Sequence, residues 1–152
     1  MVVTLLVEGN QQTLMRILMP ATINFLTPGH IRCLKWLISY KNQKHPQIII
    51  GLLTSKALKG YKKEIVPFRD RLEIMETIAN GIRDRYDMRC IRVVPQDSLD
   101  PSEIIRKYRP VAMASGDGFE KEELKAIKKW KLLKIHIKIP KKWSSSKIIS
   151  SF

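Results

Sequence analysis

Apolar and polar positions along this chain fall into an alternating series of short strands and amphipathic helices. Residues 16–21 form a short apolar run that gives way to a polar stretch. From His30 to Tyr40, Ile31, Leu34, Leu37 and Ile38 recur at helical spacing and line one face. The continuous run Gln-Ile-Ile-Ile-Gly-Leu-Leu at 47–53 predicts a strand covered on both faces, as in a parallel sheet. Pro67 opens the next helix, with Leu72, Met75, Ile78, Ala79 and Ile82 on its buried face. Residues 88–95 predict a further strand. Asp100-Pro101-Ser102-Glu103 carries helix-start chemistry: a capping carboxylate, a proline at the first helical position and a glutamate placed to close a capping box. That helix ends near Tyr108, before Pro110. A strand at 111–115, a helix at 120–130 with acids first and lysines last, and a strand at 132–139 follow. A short helix starts near Ser144.

Strands that alternate with helices imply an α/β fold, a Rossmann-like three-layer sandwich with a mostly parallel five-stranded sheet. Residues 16–152 make one domain of ordinary size. Residues 1–15 stand outside the scheme as an N-terminal extension or extra strand: 2–7 pairs with 14–19 around Gly9-Asn10, or the segment is a loose arm. No apolar run approaches the ~18 residues of a membrane span. The apolar start lacks the basic flank of a signal peptide, so a cytoplasmic location is expected. Cys33 and Cys90 read as buried thiols rather than a disulfide. His30, His45 and His136 have no metal-ligand spacing, and no protein-held metal is expected. Trp36 and Trp130 read as packing residues.

The formal charge of +14 fits two kinds of partner, nucleic acid or an anionic small substrate. Lysines concentrate at Lys56, Lys59, Lys62 and Lys63 and again between Lys121 and Lys147. The chain lacks the interleaved aromatics of single-strand RNA readers and basic-zipper heptads, which makes nucleic acid the weaker reading.

The chemistry concentrates at Thr27-Pro28-Gly29-His30, between the first strand and the helix after it. A strand, a tight glycine turn and polar groups at a helix start make a phosphate site. In a parallel sheet, ligands sit beyond the carboxyl ends of strands where the strand order reverses, which is where this word lands.

Four words in order resemble the nucleotidylyltransferase superfamily, and within it the cytidylyltransferase-like family. They are Thr22 to His30, Val66-Pro67-Phe68-Arg69-Asp70-Arg71, Ser115-Gly116-Asp117-Gly118-Phe119, and Trp143-Ser144-Ser145-Ser146-Lys147-Ile148. The similarity spans roughly 17–149. It implies transfer of CMP from CTP to a small phosphorylated acceptor, such as a glycerol-3-phosphate or sugar phosphate, with release of pyrophosphate. Thr27 and Asn24 match adenylyltransferases instead, so ATP is the alternative donor. A catalytically degenerate nucleotide- or RNA-binding module is the alternative from another class. The resemblance further implies Mg²⁺ bound through the nucleoside triphosphate. It casts Thr27, His30, Lys59, Lys62, Arg71 and Ser145 as catalytic groups that neutralise phosphoryl charge. It casts Thr22, Ile23, Asn24, Gly29, Gly116, Asp117, Trp143, Ser144, Ser146 and Lys147 as nucleotide-binding. Relatives of this class are often homodimers, although no interface is legible here.

Overall fold

The computed structural model describes residues 3–7, 10–24, 26–38, 46–85, 91–116 and 118–138, with side chains from Met15 onward. In chain order the elements are β1 (Val3–Val7), β2 (Asn10–Leu14), β3 (Arg16–Ala21), α1 (Pro28–Ile38), β4 (Gln47–Leu53), α2 (Ser55–Leu58), α3 (Phe68–Arg85), β5 (Ile91–Gln96), α4 (Ser102–Tyr108), β6 (Ala112–Ser115), α5 (Lys121–Trp130) and β7 (Leu133–His136). Five of the strands form one all-parallel sheet in the order β5-β4-β3-β6-β7. This is the expected Rossmann-like α/β arrangement. Its order reverses between β3 and β6.

Alternation along the strands feeds two hydrophobic layers. Ile17, Met19, Ile48 and Ile50 point to one face, where they meet Leu34 and Leu37 of α1 and Met75 and Ala79 of α3. Leu18, Ile49, Val94 and Met113 point to the other, against Ile104 and Ile105 of α4 and Ala126 of α5. The buried face predicted for α3 is present: Met75 and Ala79 are buried, and Leu72, Ile78 and Ile82 pack against them. Trp130 packs as expected and donates its indole N–H to Ser102 Oγ at 3.3 Å, which ties α5 to α4. Trp36 does not pack as expected; it is 43% exposed on the outer face of α1.

The N-terminal segment differs from both expectations. β1 pairs antiparallel with β2, Val3 opposite Leu14, in a separate two-stranded sheet. Residues 16–19, expected in that hairpin, instead belong to β3, whose apolar side chains are covered on both faces by the helices. Helix starts also differ in detail. Pro101, expected at the first helical position, is itself the cap residue of α4 and has no side-chain cap bond, while Asp100, one residue earlier, accepts from the backbone N–H of Ser102 at 3.0 Å; the capping box occurs at α5, where Glu120 and Glu123 close it. Residues 88–90, with Cys90, lie outside the described residues, as do His45 and 139–152.

Gly51 sits in the middle of β4. A Cβ there would collide with Oε1 of Gln96, a buried side chain on the neighbouring strand. Glycine at 51 is therefore a matter of close approach.

Crossover helices run antiparallel to the strands they join, so helix ends sort by charge. The last turns of α3, α4 and α5 carry Arg83, Arg85, Arg106, Lys107, Lys128 and Lys129. These gather at the pole where strands begin. The first turns carry Asp70, Glu103, Glu122 and Glu123, at the pole where strands end. Each placement complements its helix dipole.

Candidate active site

At the carboxyl ends of β3 and β6, where strand order reverses, a cavity of about 370 Å³ opens. Its floor is apolar and includes Met19, Ala21, Ile23, Cys33, Leu53 and Ile65. The polar lining comprises His30, Lys62, Lys63, Tyr61, Glu120 and Glu123, with Lys62 Nζ 5.3 Å from the centre of the Tyr61 ring. Such a crevice is where a doubly wound sheet binds its ligand. Cys33 is a buried thiol, as expected.

His30 owes its position to the start of α1. Thr27 precedes Pro28, the first helical residue, and its Oγ1 lies 3.4 Å from the backbone N–H of His30, an N-cap contact. The backbone N–H of Thr27 donates to His30 Nδ1 at 3.0 Å. A nitrogen that accepts this bond carries no proton, so the neutral imidazole bears its hydrogen on Nε2. The first turn of α1 holds no acid, which leaves the positive end of the helix dipole for a bound anion. Thr27 was expected against a phosphate; it is 4% exposed and acts as the cap that aims His30. Gly29 is buried in the same turn.

Three residues at the end of β3 act as a hinge post for the loop that carries the lysines. Asn24 Oδ1 accepts from the backbone N–H groups of Ile65 at 2.9 Å and Val66 at 3.3 Å. Its Nδ2 donates to the carbonyl of Lys63 at 2.8 Å. Ile23 adopts φ 52°, a left-handed conformation that a β-branched side chain resists. Both neighbours hold it there: Asn24 through the loop, Thr22 through its carbonyl, which accepts from Arg71. Thr22, Ile23 and Asn24 all line the cavity, yet the polar groups of Asn24 are taken up by backbone.

Arg71 departs furthest from expectation. Its side chain is fully buried. It donates to the carbonyls of Val66 at 2.8 Å, Thr22 at 2.9 Å and Leu53 at 2.6 Å, and to Glu64 Oε2 at 2.6 Å. A guanidinium committed to four internal partners, outside the cavity lining, is a clamp and not a phosphate ligand. Glu64 completes the clamp. Hydrogen bonds from Ser55, and next the Arg71 guanidinium, hold its carboxyl below the usual range.

Lys62 lines the cavity, whereas Lys59 caps the end of α2 and lies outside the lining. Lys63 also lines the cavity. Gly116 is half-buried next to the lining residue Ser115. Asp117 and the second signature, Trp143, Ser144, Ser145, Ser146 and Lys147, lie outside the described residues. The acidic part of the lining had no sequence motif to announce it. Tyr61 donates to Glu120 at 2.7 Å, and burial together with that carboxylate pushes its phenol well up. Burial pushes the Glu123 carboxyl up to about 7, with the Glu120 charge adding and Lys62 opposing. Among the described residues no three His, Cys, Asp or Glu side chains converge as a metal cage.

Compared with known protein families, residues 18–151 match the cytidylyltransferase-like family. The match covers most of the chain, and the chain belongs to that family. No curated protein matches it. Among the described residues no helix is long and apolar enough to cross a membrane.

Proposed function

We propose that this protein is a nucleotidyltransferase that moves CMP from CTP to a small phosphorylated acceptor and releases pyrophosphate. The observation that carries the reading is the cavity at the strand-order reversal, lined by His30, fixed at the start of α1, and by Lys62 and Lys63. Such a lining suits a triphosphate. The acceptor phosphate attacks the α-phosphorus in line, the new P–O bond forms as the bond to the β-phosphate oxygen breaks, and pyrophosphate takes the leaving electron pair. Negative charge grows on the equatorial oxygens, so the protein's task is positioning and charge stabilisation.

His30 serves as a hydrogen-bond donor through Nε2 because Nδ1 is occupied. Lys62 and Lys63 supply positive charge from a loop whose backbone Asn24 holds at Lys63, Ile65 and Val66. Tyr61, Glu120 and Glu123, in the same lining, serve as partners for hydroxyl groups of ribose or acceptor. Magnesium enters as part of the triphosphate substrate, held by its phosphate oxygens. The serines at 144–146 are proposed to receive the leaving pyrophosphate. Thr27 and Asn24 have structural duties, so they no longer favour ATP over CTP.

The test is thermal stability with Mg²⁺ and each of CTP, ATP, GTP and UTP at fixed ionic strength. A ligand at ~100 times its Kd stabilises by about 2.7 kcal/mol. CTP should give the largest shift, and CTP with acceptor should release pyrophosphate. His30→Ala should cut turnover by roughly 10²–10⁴-fold while the unliganded Tm stays put. A larger shift with ATP would transfer the reading to an adenylyltransferase. No shift with any triphosphate would overturn it.

A further inference from the structure

A second cavity, of about 410 Å³, opens at the opposite pole, where the strands begin. Among the described residues four cations line it, Arg16, Arg83, Arg92 and Lys107, and no acid does. Arg16 is fixed by neutral partners, Gln47 Oε1 at 2.9 Å and the Tyr108 carbonyl at 3.1 Å. Arg83 is paired with Glu76 at 3.5 Å. Arg92 and Lys107 are exposed and stand over the Tyr108 ring, 5.7 and 5.3 Å from its centre.

The basic last turns of α3, α4 and α5 surround this cavity. Helix dipoles explain a cation or two at each helix end. They do not explain arginines on the strands β3 and β5, nor a hollow with no carboxylate among its described lining residues. Like charges gathered this way repel unless an anion joins them.

We propose that this pole binds single-stranded nucleic acid, separately from the active site. Arg16, Arg92 and Lys107 take backbone phosphates, and Arg92 with Tyr108 offers a stacking platform to an unpaired base. The Tyr108 ring beside these cations favours an unpaired strand over a duplex. The proposal does not rest on the transferase reading, because the two cavities share no residue.

The test is fluorescence anisotropy of a labelled oligo-U of about 20 nucleotides titrated with the full chain over a range of salt. The double variant R92Q/K107Q should bind at least ~10-fold more weakly, with a log–log salt slope shallower by roughly 1.4, about 0.7 for each phosphate that is no longer neutralised. Both side chains are exposed, and an unchanged melting curve checks the fold. Lys107→Gln alone should give about half the slope change, and it serves if the double variant is unstable. Lys62→Gln, at the other pole, should leave oligonucleotide binding unchanged. Three results would overturn the proposal: unaltered binding by the charge variants, displacement of the oligonucleotide by saturating CTP, or binding to phosphatidylserine vesicles without binding to the oligonucleotide.

Discussion

Arg71 shows how much a single side chain's direction matters. The word Pro-x-x-x-Arg marks an arginine at a helix start, but spacing does not say whether the guanidinium turns outward or inward. Here it turns inward to four partners. Arg71→Met should therefore cost about 3–5 kcal/mol in urea denaturation, because Glu64 and three carbonyls lose their donor. A phosphate ligand would behave oppositely, losing turnover with stability intact. Glu123 is a second case that sequence could not show, since its proton affinity follows from burial. Its folded pKa, about 7, lies above the ordinary 4.5, so the folded state binds the proton more tightly. The fold is then penalised progressively as pH rises from about 4.5 to about 7, and fully above that. Glu123→Gln, which keeps the acceptor that caps α5, should raise Tm at pH 8 and lose most of that advantage at pH 5. An equal gain at both values would contradict the assignment.

At the scale of elements, period and turn chemistry were strong guides. The unbroken apolar run at 47–53 is β4, covered on both faces, and the strand at 16–21 has the bounds expected of it. The start of α1 was legible as a strand, a tight turn and a helix start, but the division of labour between its polar residues was not. Thr27 and His30 are both polar and adjacent in the motif, and only the cap geometry separates the holder from the donor. Thr27→Ala should cost about 1 kcal/mol of stability, and Thr27→Ser much less. Turnover should fall less in Thr27→Ala than in His30→Ala, because the backbone N–H of residue 27 still holds Nδ1. Steady-state rates of the three variants check this. The hairpin misled because an apolar stretch next to a turn pairs equally well on paper with either side of Met15. Burial decides: 16–21 is worth more as the central strand of a covered sheet.

For the whole molecule, the parallel sheet and the two helical layers follow from alternation of elements, but the strand order and the placement of charge do not. A sequence reports only a surplus of +14. Folding gathers Arg16, Arg83, Arg92 and Lys107 around one hollow and sets Lys62 and Lys63 beside Glu120 and Glu123 at the other pole. The β1–β2 hairpin shares no ladder with the five-stranded sheet. Deleting residues 1–14 should therefore shift Tm by no more than about 2–4 °C, the equivalent of ~1 kcal/mol in a domain of this size. Differential scanning calorimetry of the shortened chain would show a larger drop if the hairpin braced the core.

Gly51 has a consequence for how this protein can vary. Its neighbour Gln96 occupies the space where any other residue would place its first carbon. Among variants selected only for folding, position 51 should admit a larger residue only where the Gln96 side chain moves aside or shrinks with it. A map of substitutions tolerated under selection for activity would mark 51 beside 30, and one under selection for folding alone would mark 51 without 30. The two constraints also separate in pairs: a smaller side chain at 96 would release the glycine, and no second change would release the histidine.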